Sequence, residues 1–301
     1  MKRIVPAFIS LLGTVVVIEL ALRLLNYPYI GCKSLQSADE YRTGQFDPVV
    51  GWRYIPSRAT AFGGKTYTFN AEGYRTDSIE DSTDFSKPRI LIVGSSFLFG
   101  HELDFKETFG YKLATRLGNR YEVINDAVQG YGLDQTYLQL VTLMPRYSPT
   151  AVIVDIHEDQ DYRNVNRDRR ALFPCMQFAG TKPTFAVSNG KLTQTHSPER
   201  FETYDTPRLR LLWRRAEEKL RQQKTDVVLA QTIYREMKRY VEDQGAKLLT
   251  INYLLPIRDY EEDALFVDYG NEFTLDGVHP NDKATTRMVE EFMEKLGDEL
   301  N

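Results

Sequence analysis

RILIVGSSFLFG (89–100) is an apolar run that breaks into small residues and then resumes with helix-like spacing. A short continuous apolar stretch bounded by glycine and serine reads as a strand buried on both faces. The same rhythm continues on either side of it. KETFGYKLATRLG (106–118) has amphipathic helical spacing and stops at Gly118, and YEVINDAV (121–128) is a second strand. DQTYLQLVTLMPRY (134–147) is a second helix and TAVIVDIHE (150–158) a third strand. DVVLAQTIYREMKRYVEDQG (226–245) leads as a long helix into the strand AKLLTINYLL (246–255), and NDKATTRMVEEFMEKLGDEL (281–300) reads as the closing helix. Buried strands alternating with helices predict an α/β domain over 88–301, a doubly wound parallel sheet of flavodoxin-like type in three α/β/α layers.

An insertion at 165–225 separates the third strand from the fourth. Within it KPTFAVSNGKLTQ (182–194) carries Asn189-Gly190 between alternating residues, a strong hairpin signal. RLRLLWRRAEEKLRQQ (208–223) reads as a basic amphipathic helix. It is either a solvated surface helix or a contact with a membrane surface or polyanion, its field diluted by Glu217 and Glu218.

Upstream of the domain the composition changes twice. Residues 26–87 are rich in Gly, Pro, Tyr, Ser and Thr, with strand-like stretches at GWRYI (51–55) and KTYTF (65–69), which predicts a stalk and a small β-rich leader. Residues 1–25, MKRIVPAFISLLGTVVVIELALRLL, are far more apolar than the rest. Lys2 and Arg3 precede an uncharged run from Ile4 to Ile18, and the apolar pattern continues past Glu19 and Arg23. As a helix the stretch from Ile4 to Leu25 reaches about 33 Å, enough to span a bilayer. No small-x-small cleavage site follows it, and YPYIGC before Cys32 has Tyr29 where a lipoprotein box needs an aliphatic residue. The favoured expectation is an uncleaved, single-pass transmembrane signal anchor with the domain periplasmic or extracellular, the cationic start remaining in the cytoplasm. A cleaved signal and a buried helix are the alternatives.

The bulk composition excludes other classes. With 301 residues, 38 Lys plus Arg against 42 Asp plus Glu and 42% hydrophobic residues, the chain is neither disordered nor collagen-like nor polytopic. A formal charge of −4 argues against a nucleic-acid partner. Cys32 and Cys175 make neither a disulfide framework nor a zinc cluster; they are one cross-link or two separate thiols. His101, His157, His196 and His279 have no ligand-like spacing, so no metal is expected, and neither a P-loop nor G-x-G-x-x-G is present, so no cofactor is expected.

Three strand ends carry the chemistry. GSSFLFG (94–100) places a serine at the top of the sheet with its amide at a helix start, a position suited to a nucleophile. NDAVQGYG (125–132) offers Gly130 and Gly132, where the backbone can approach a ligand. LDGVHPND (275–282) sets Asp276 three residues before His279, so that one turn can place a carboxylate against an imidazole and free its other nitrogen for a serine proton.

Taken together, residues 89–298 resemble the SGNH or GDSL hydrolases. Gly94-Ser95-Ser96-Phe97 is similar to the family's G-D-S-aromatic block, Gly130 to its oxyanion glycine, and Asp276-x-x-His279 followed by Pro280-Asn281 to its last block. GWRYIPS and FNAEGYR in the leader are similar to the region preceding this domain in membrane-anchored bacterial members of envelope polysaccharide pathways. The resemblance implies a Ser96–His279–Asp276 triad and an oxyanion hole built from the amides of Ser96 and Gly130. It implies an esterase or O-acyl hydrolase acting on an acylated carbohydrate of the cell envelope, in the setting of envelope polysaccharide machinery. An O-acyltransferase with a sugar hydroxyl as acceptor, or a degenerate glycan-binding protein, are the other expectations.

Two positions depart from the family pattern. The block I aspartate is replaced by Ser95, and IHEDQDYRN aligns by its YRN end so that Asp159 falls where an asparagine normally donates to the oxyanion, with Gln160 beside it. Losing such a donor costs about 3 to 4 kcal/mol of transition-state stabilisation. A charged Asp159 would add a repulsion of up to roughly 4 kcal/mol at 4 Å. Activity therefore requires a protonated Asp159, a rotated Gln160, or a contact from His157.

Overall fold

The computed structural model describes residues 4–28, 44–62, 64–118, 120–157, 159–174, 178–201, 207–223, 226–253, 265–267, 272–274 and 276–300. Cys32 and Cys175 lie outside them, as do most of the stalk and Glu158.

The N-terminal run forms one helix, α1 (Ile4–Leu24). Among the described residues, whose side chains begin at Ile9, no helix is long and apolar enough to cross a membrane. Five short strands follow: β1 (Gly44–Asp47), β2 (Gly51–Tyr54), β3 (Arg58–Phe62), β4 (Lys65–Phe69) and β5 (Arg75–Thr76). The α/β domain then runs β6 (Arg89–Ile92), α2 (Ser96–Phe99), α3 (Phe109–Arg116), β7 (Glu122–Asn125), α4 (Leu133–Tyr147) and β8 (Ala151–His157). After α5 (Asp159–Val165) and α6 (Arg169–Leu172) come β9 (Thr184–Ser188), β10 (Lys191–His196) and α7 (Arg208–Gln222). The chain closes with α8 (Val227–Asp243), β11 (Lys247–Tyr253), β12 (Leu265–Val267) and α9 (Asp282–Leu296).

The central sheet has the order β12-β11-β8-β6-β7-β5-β4-β3. Its β12-β11-β8-β6-β7 part is parallel, the flavodoxin-like order with the switch point beside β6. The purely parallel sheet expected from sequence is corrected at one edge. β5 pairs antiparallel with β7 through Arg75 and Asn125, and β4 and β3 continue antiparallel beyond it, so the sheet is mixed and the leader is part of it. Those strands cover the edge that β7 would otherwise present to solvent.

Alternation along β6 divides the core between the two faces. Ile90 and Ile92 pack with Leu113 of α3 and with Met288 and Phe292 of α9. Leu91 and Val93 pack with Leu140 and Leu143 of α4 and with Ile233 and Met237 of α8. Within the insertion, β9 and β10 form the expected hairpin, with Asn189 and Gly190 both at positive φ as a two-residue turn requires. The insertion is fastened to the domain by a fully buried Lys182–Asp134 ion pair, in which Lys182 also donates to the Pro183 carbonyl at 2.9 Å.

Candidate active site

β6 ends at Ile92 and the chain turns through Gly94 into α2, whose first residue is Ser96. Gly94 has a φ of +143°, and a Cβ there would sit 2.0 Å from Oδ1 of Asp155, so only glycine fits. That carboxylate takes over the turn. Oδ1 accepts from the Ser95 amide at 2.8 Å, and Oδ2 accepts from the Ser95 hydroxyl. An acid from the adjacent strand β8 thus organises this turn, which carries no acid of its own. Burial pushes the Asp155 carboxyl up to about 6, against the opposing hydrogen bonds from Ser95.

The fold brings Ser96, His279 and Asp276 together. Oγ of Ser96 is 2.7 Å from Nε2 of His279, and Nδ1 of His279 is 2.5 Å from Oδ2 of Asp276. A tight turn positions the carboxylate: Oδ1 accepts from the amides of Val278 at 2.9 Å and His279 at 3.1 Å, and from the Thr274 hydroxyl at 2.8 Å. Burial opposes ionisation of Asp276, but those amides and the ring N–H outweigh it and hold the carboxyl below its usual range. Burial also pulls the His279 imidazole below its ordinary value, although Asp276 counteracts this. His279 is therefore a neutral base at pH 7 with Nε2 facing the serine. The ring of Phe97 packs 4.8 Å from that of His279 and 4.9 Å from that of Tyr253, fixing the imidazole's position.

Gly130 adopts a φ of +81° in the turn after β7. Among the described residues, neither its amide nor that of Ser96 has an acceptor, the condition for two donors waiting on an oxyanion. A Cβ on Gly130 would meet Phe178 at 3.0 Å and Trp52 at 3.7 Å, so aromatic rings crowd this side of the site.

Asp159 and Gln160 are not brought to this point. β8 ends at His157, and α5 begins at Asp159. The Asp159 side chain is 49% exposed and accepts from Arg163 at 3.3 Å. Gln160 folds back over the strand end, donating to the Asp155 carbonyl at 3.1 Å and accepting from the His157 amide at 3.4 Å. At Asp159 the strand has already become helix, which turns this side chain away from Ser96 and Gly130. His157 is the strand-end residue: its Nε2 lies 3.1 Å from Oγ of Ser95 and its ring 5.0 Å from that of Phe97.

Two neighbours were not legible as site residues. Arg163, on α5, is buried and donates to the Tyr131 carbonyl at 3.0 Å, one residue from Gly130, with Nη1 also 3.4 Å from Nε2 of His157. Only its place in the YRN string hinted at it. His101 sits 4.6 Å from the His279 ring, with Nε2 3.7 Å from Oδ2 of Asp276 and Nδ1 2.5 Å from Nε2 of Gln129. Burial, aided by the neighbouring His279, holds His101 down to about 4. His101, Asp276 and His279 offer ligand atoms within 4.8 Å of one another, a proximity that sequence spacing concealed.

A scan of protein-family models finds no match to this chain, and a search of curated proteins finds none either. Solved structures do resemble it. One is a protein titled TesA, at 16% identity over 70% of this chain and 98% of that one, with a TM-score of 0.43. Another is a psychrotrophic esterase, EstA, from Pseudoalteromonas sp., at 14% identity over 71% and 100% of the two chains and a TM-score of 0.42. A third is a catalytic mutant of an acetylxylan esterase from Geobacillus stearothermophilus, at 12% identity over 70% and 94% and a TM-score of 0.37.

Proposed function

We propose that this chain is a serine ester hydrolase that removes short acyl groups from a glycan of the cell envelope, held at the membrane by α1. The observation that carries the reading is the continuous relay Ser96–His279–Asp276 beside the unengaged amides of Ser96 and Gly130. Oγ of Ser96 attacks the ester carbonyl carbon as its proton passes to Nε2 of His279, while Asp276 holds Nδ1–H and stabilises the imidazolium. The oxyanion lies on the two amides. The imidazolium returns the proton to the departing alcohol oxygen as the C–O bond breaks. Water, deprotonated by the same ring, then releases the acid and regenerates Ser96.

Arg163 replaces the missing amide donor in this scheme by charge. Its guanidinium donates to the Tyr131 carbonyl at 3.0 Å, one residue from Gly130, which sets positive charge beside the amide that would receive the oxyanion. The crowding of Gly130 by Phe178 and Trp52 favours a small acyl group such as acetyl. The glycan assignment rests on the tether, which would put the site outside the cytoplasm. The tether in turn rests on the character of α1, whose described apolar side chains point outward on every side, with Ile9 65%, Leu12 58%, Val17 65% and Leu20 54% exposed. Labelling by a fluorophosphonate probe, lost in Ser96→Ala, tests the nucleophile. Acetate release from acetylated oligosaccharides, compared with transfer to an added sugar, tests hydrolysis against acyl transfer.

A further inference from the structure

α7 is amphipathic in the reverse sense for a helix on a globular domain. Its inward face is polar or singly apolar: Leu211 and Glu218 are each 3% exposed, Glu218 accepts from the Arg167 amide at 2.9 Å, and Arg214 pairs with Asp168 at 3.2 Å. At about 100° per residue, Trp213 and Leu220 point about 140° to 160° away from that face. Trp213 is 71% exposed, Leu220 61% and Leu212 42%, and Ala216 between them is also exposed. Arg210 and Lys219 flank this stripe and are exposed, whereas Glu218 is buried and Glu217 is paired with Arg221 at 2.6 Å.

A second observation fixes where the stripe lies. Pro207 offers α7 no side-chain cap. The cap comes from the last turns of α1, where Glu19 accepts from the amides of Arg208 at 2.9 Å and Leu209 at 3.0 Å while also bonding Arg23 at 2.7 Å. The start of α7 is thereby held at the end of the apolar helix from which the chain proceeds to the domain.

We infer that α7 is an interfacial helix that lies on the outer surface of the bilayer entered by α1, its Leu212–Trp213–Leu220 stripe among the acyl chains and its basic flanks against anionic phospholipid headgroups. The seat fixes the orientation of the domain on the membrane, beyond mere tethering. The inference rests on the proposed membrane role of α1, and the following test separates the two.

Trp213 and Trp52 are the chain's two tryptophans, and Trp52 is 4% exposed, so quenching by lipid reports on Trp213. The full chain is reconstituted into phosphatidylcholine–phosphatidylglycerol vesicles with and without dibrominated acyl chains. The Trp213 emission is expected to fall at least ~2-fold with brominated lipid, and this change is expected to vanish in Trp213→Phe and in Leu212→Glu/Leu220→Glu. Resistance to carbonate extraction reports on α1 separately. Extraction-resistant protein whose Trp213 is not quenched overturns the seat of α7 while the anchor stands. Quenching in protein that carbonate removes supports α7 and rejects the anchor. A blue shift of Trp213 that grows with protein concentration without lipid identifies a second copy as the occupant and overturns the inference.

Discussion

Arg75→Met should loosen the helix that carries Ser96 from the leader strand beside β7. Arg75 is 2% exposed and comes from the leader, yet its guanidinium donates to the carbonyls of Phe99 at 2.6 Å, Gly100 at 2.7 Å and Leu103 at 2.5 Å, closing the end of α2. It also lies 4.6 Å from the ring centroids of both Tyr67 and Phe99. Methionine keeps most of the volume and leaves three carbonyls without that donor. At about 1 kcal/mol net per bond, plus about 0.5 to 1 for each ring contact, the gross loss is about 4 to 5 kcal/mol. Relief of the buried charge, which holds the Arg75 pKa down to about 10, offsets part of it. The expected net destabilisation is about 3 kcal/mol, a Tm lower by roughly 5 to 8 °C. Calorimetry on the full chain in detergent measures this, and ester turnover below Tm should fall more than ~10-fold as α2 shifts. A change under about 1 kcal/mol with turnover intact would refute the claim that the leader positions Ser96.

Four further outcomes follow from the geometry. Asp276→Asn should lower kcat by about 10⁴ without unfolding the protein, because the amide cannot hold His279 in the required tautomer; circular dichroism and steady-state assays check both parts. Activity should decline as pH falls through the lowered folded pKa of His279, since protonation removes the base, so the acid limb of the kcat/KM profile should have its midpoint below the 6.5 of a free histidine. Asp159→Asn should change turnover less than ~3-fold, because it removes only a half-exposed pair with Arg163 and leaves the guanidinium's bond to the Tyr131 carbonyl, whereas Arg163→Met should cost on the order of 10² in kcat; equal effects would show that Arg163 plays no part in turnover. Asp134→Ala should destabilise the domain by about 3 to 5 kcal/mol by stranding buried Lys182, read as a lowered Tm with KM little changed.

The legible and illegible parts of this molecule divide along physical lines. The parallel strands were readable because strands buried on both faces are continuously apolar, and Ser96, Gly130, Asp276 and His279 sit at their ends or in the turns that follow. The joining of the leader to the sheet was not readable, because β5 is only Arg75–Thr76, too short for any periodicity. FNAEGYR was conspicuous in the sequence, but its purpose emerges only when Arg75 is seen to reach across to Phe99 and Leu103. The turning away of Asp159 was not readable either, because no glycine or proline marks the change from β8 to α5. Ser95 looked like a defect from its own segment alone, and the acid that holds it, Asp155, lies 60 residues away within an apolar strand.

In the proposed hydrolase Ser96 is an activated nucleophile. Incubating the purified full chain with a fluorophosphonate probe and locating the adduct by mass spectrometry tests it most directly. The expected result is a single adduct on Ser96 that forms more slowly at acidic pH and is absent in both Ser96→Ala and His279→Ala. Folded protein that forms no adduct, or one whose adduct sits on another residue, would contradict it.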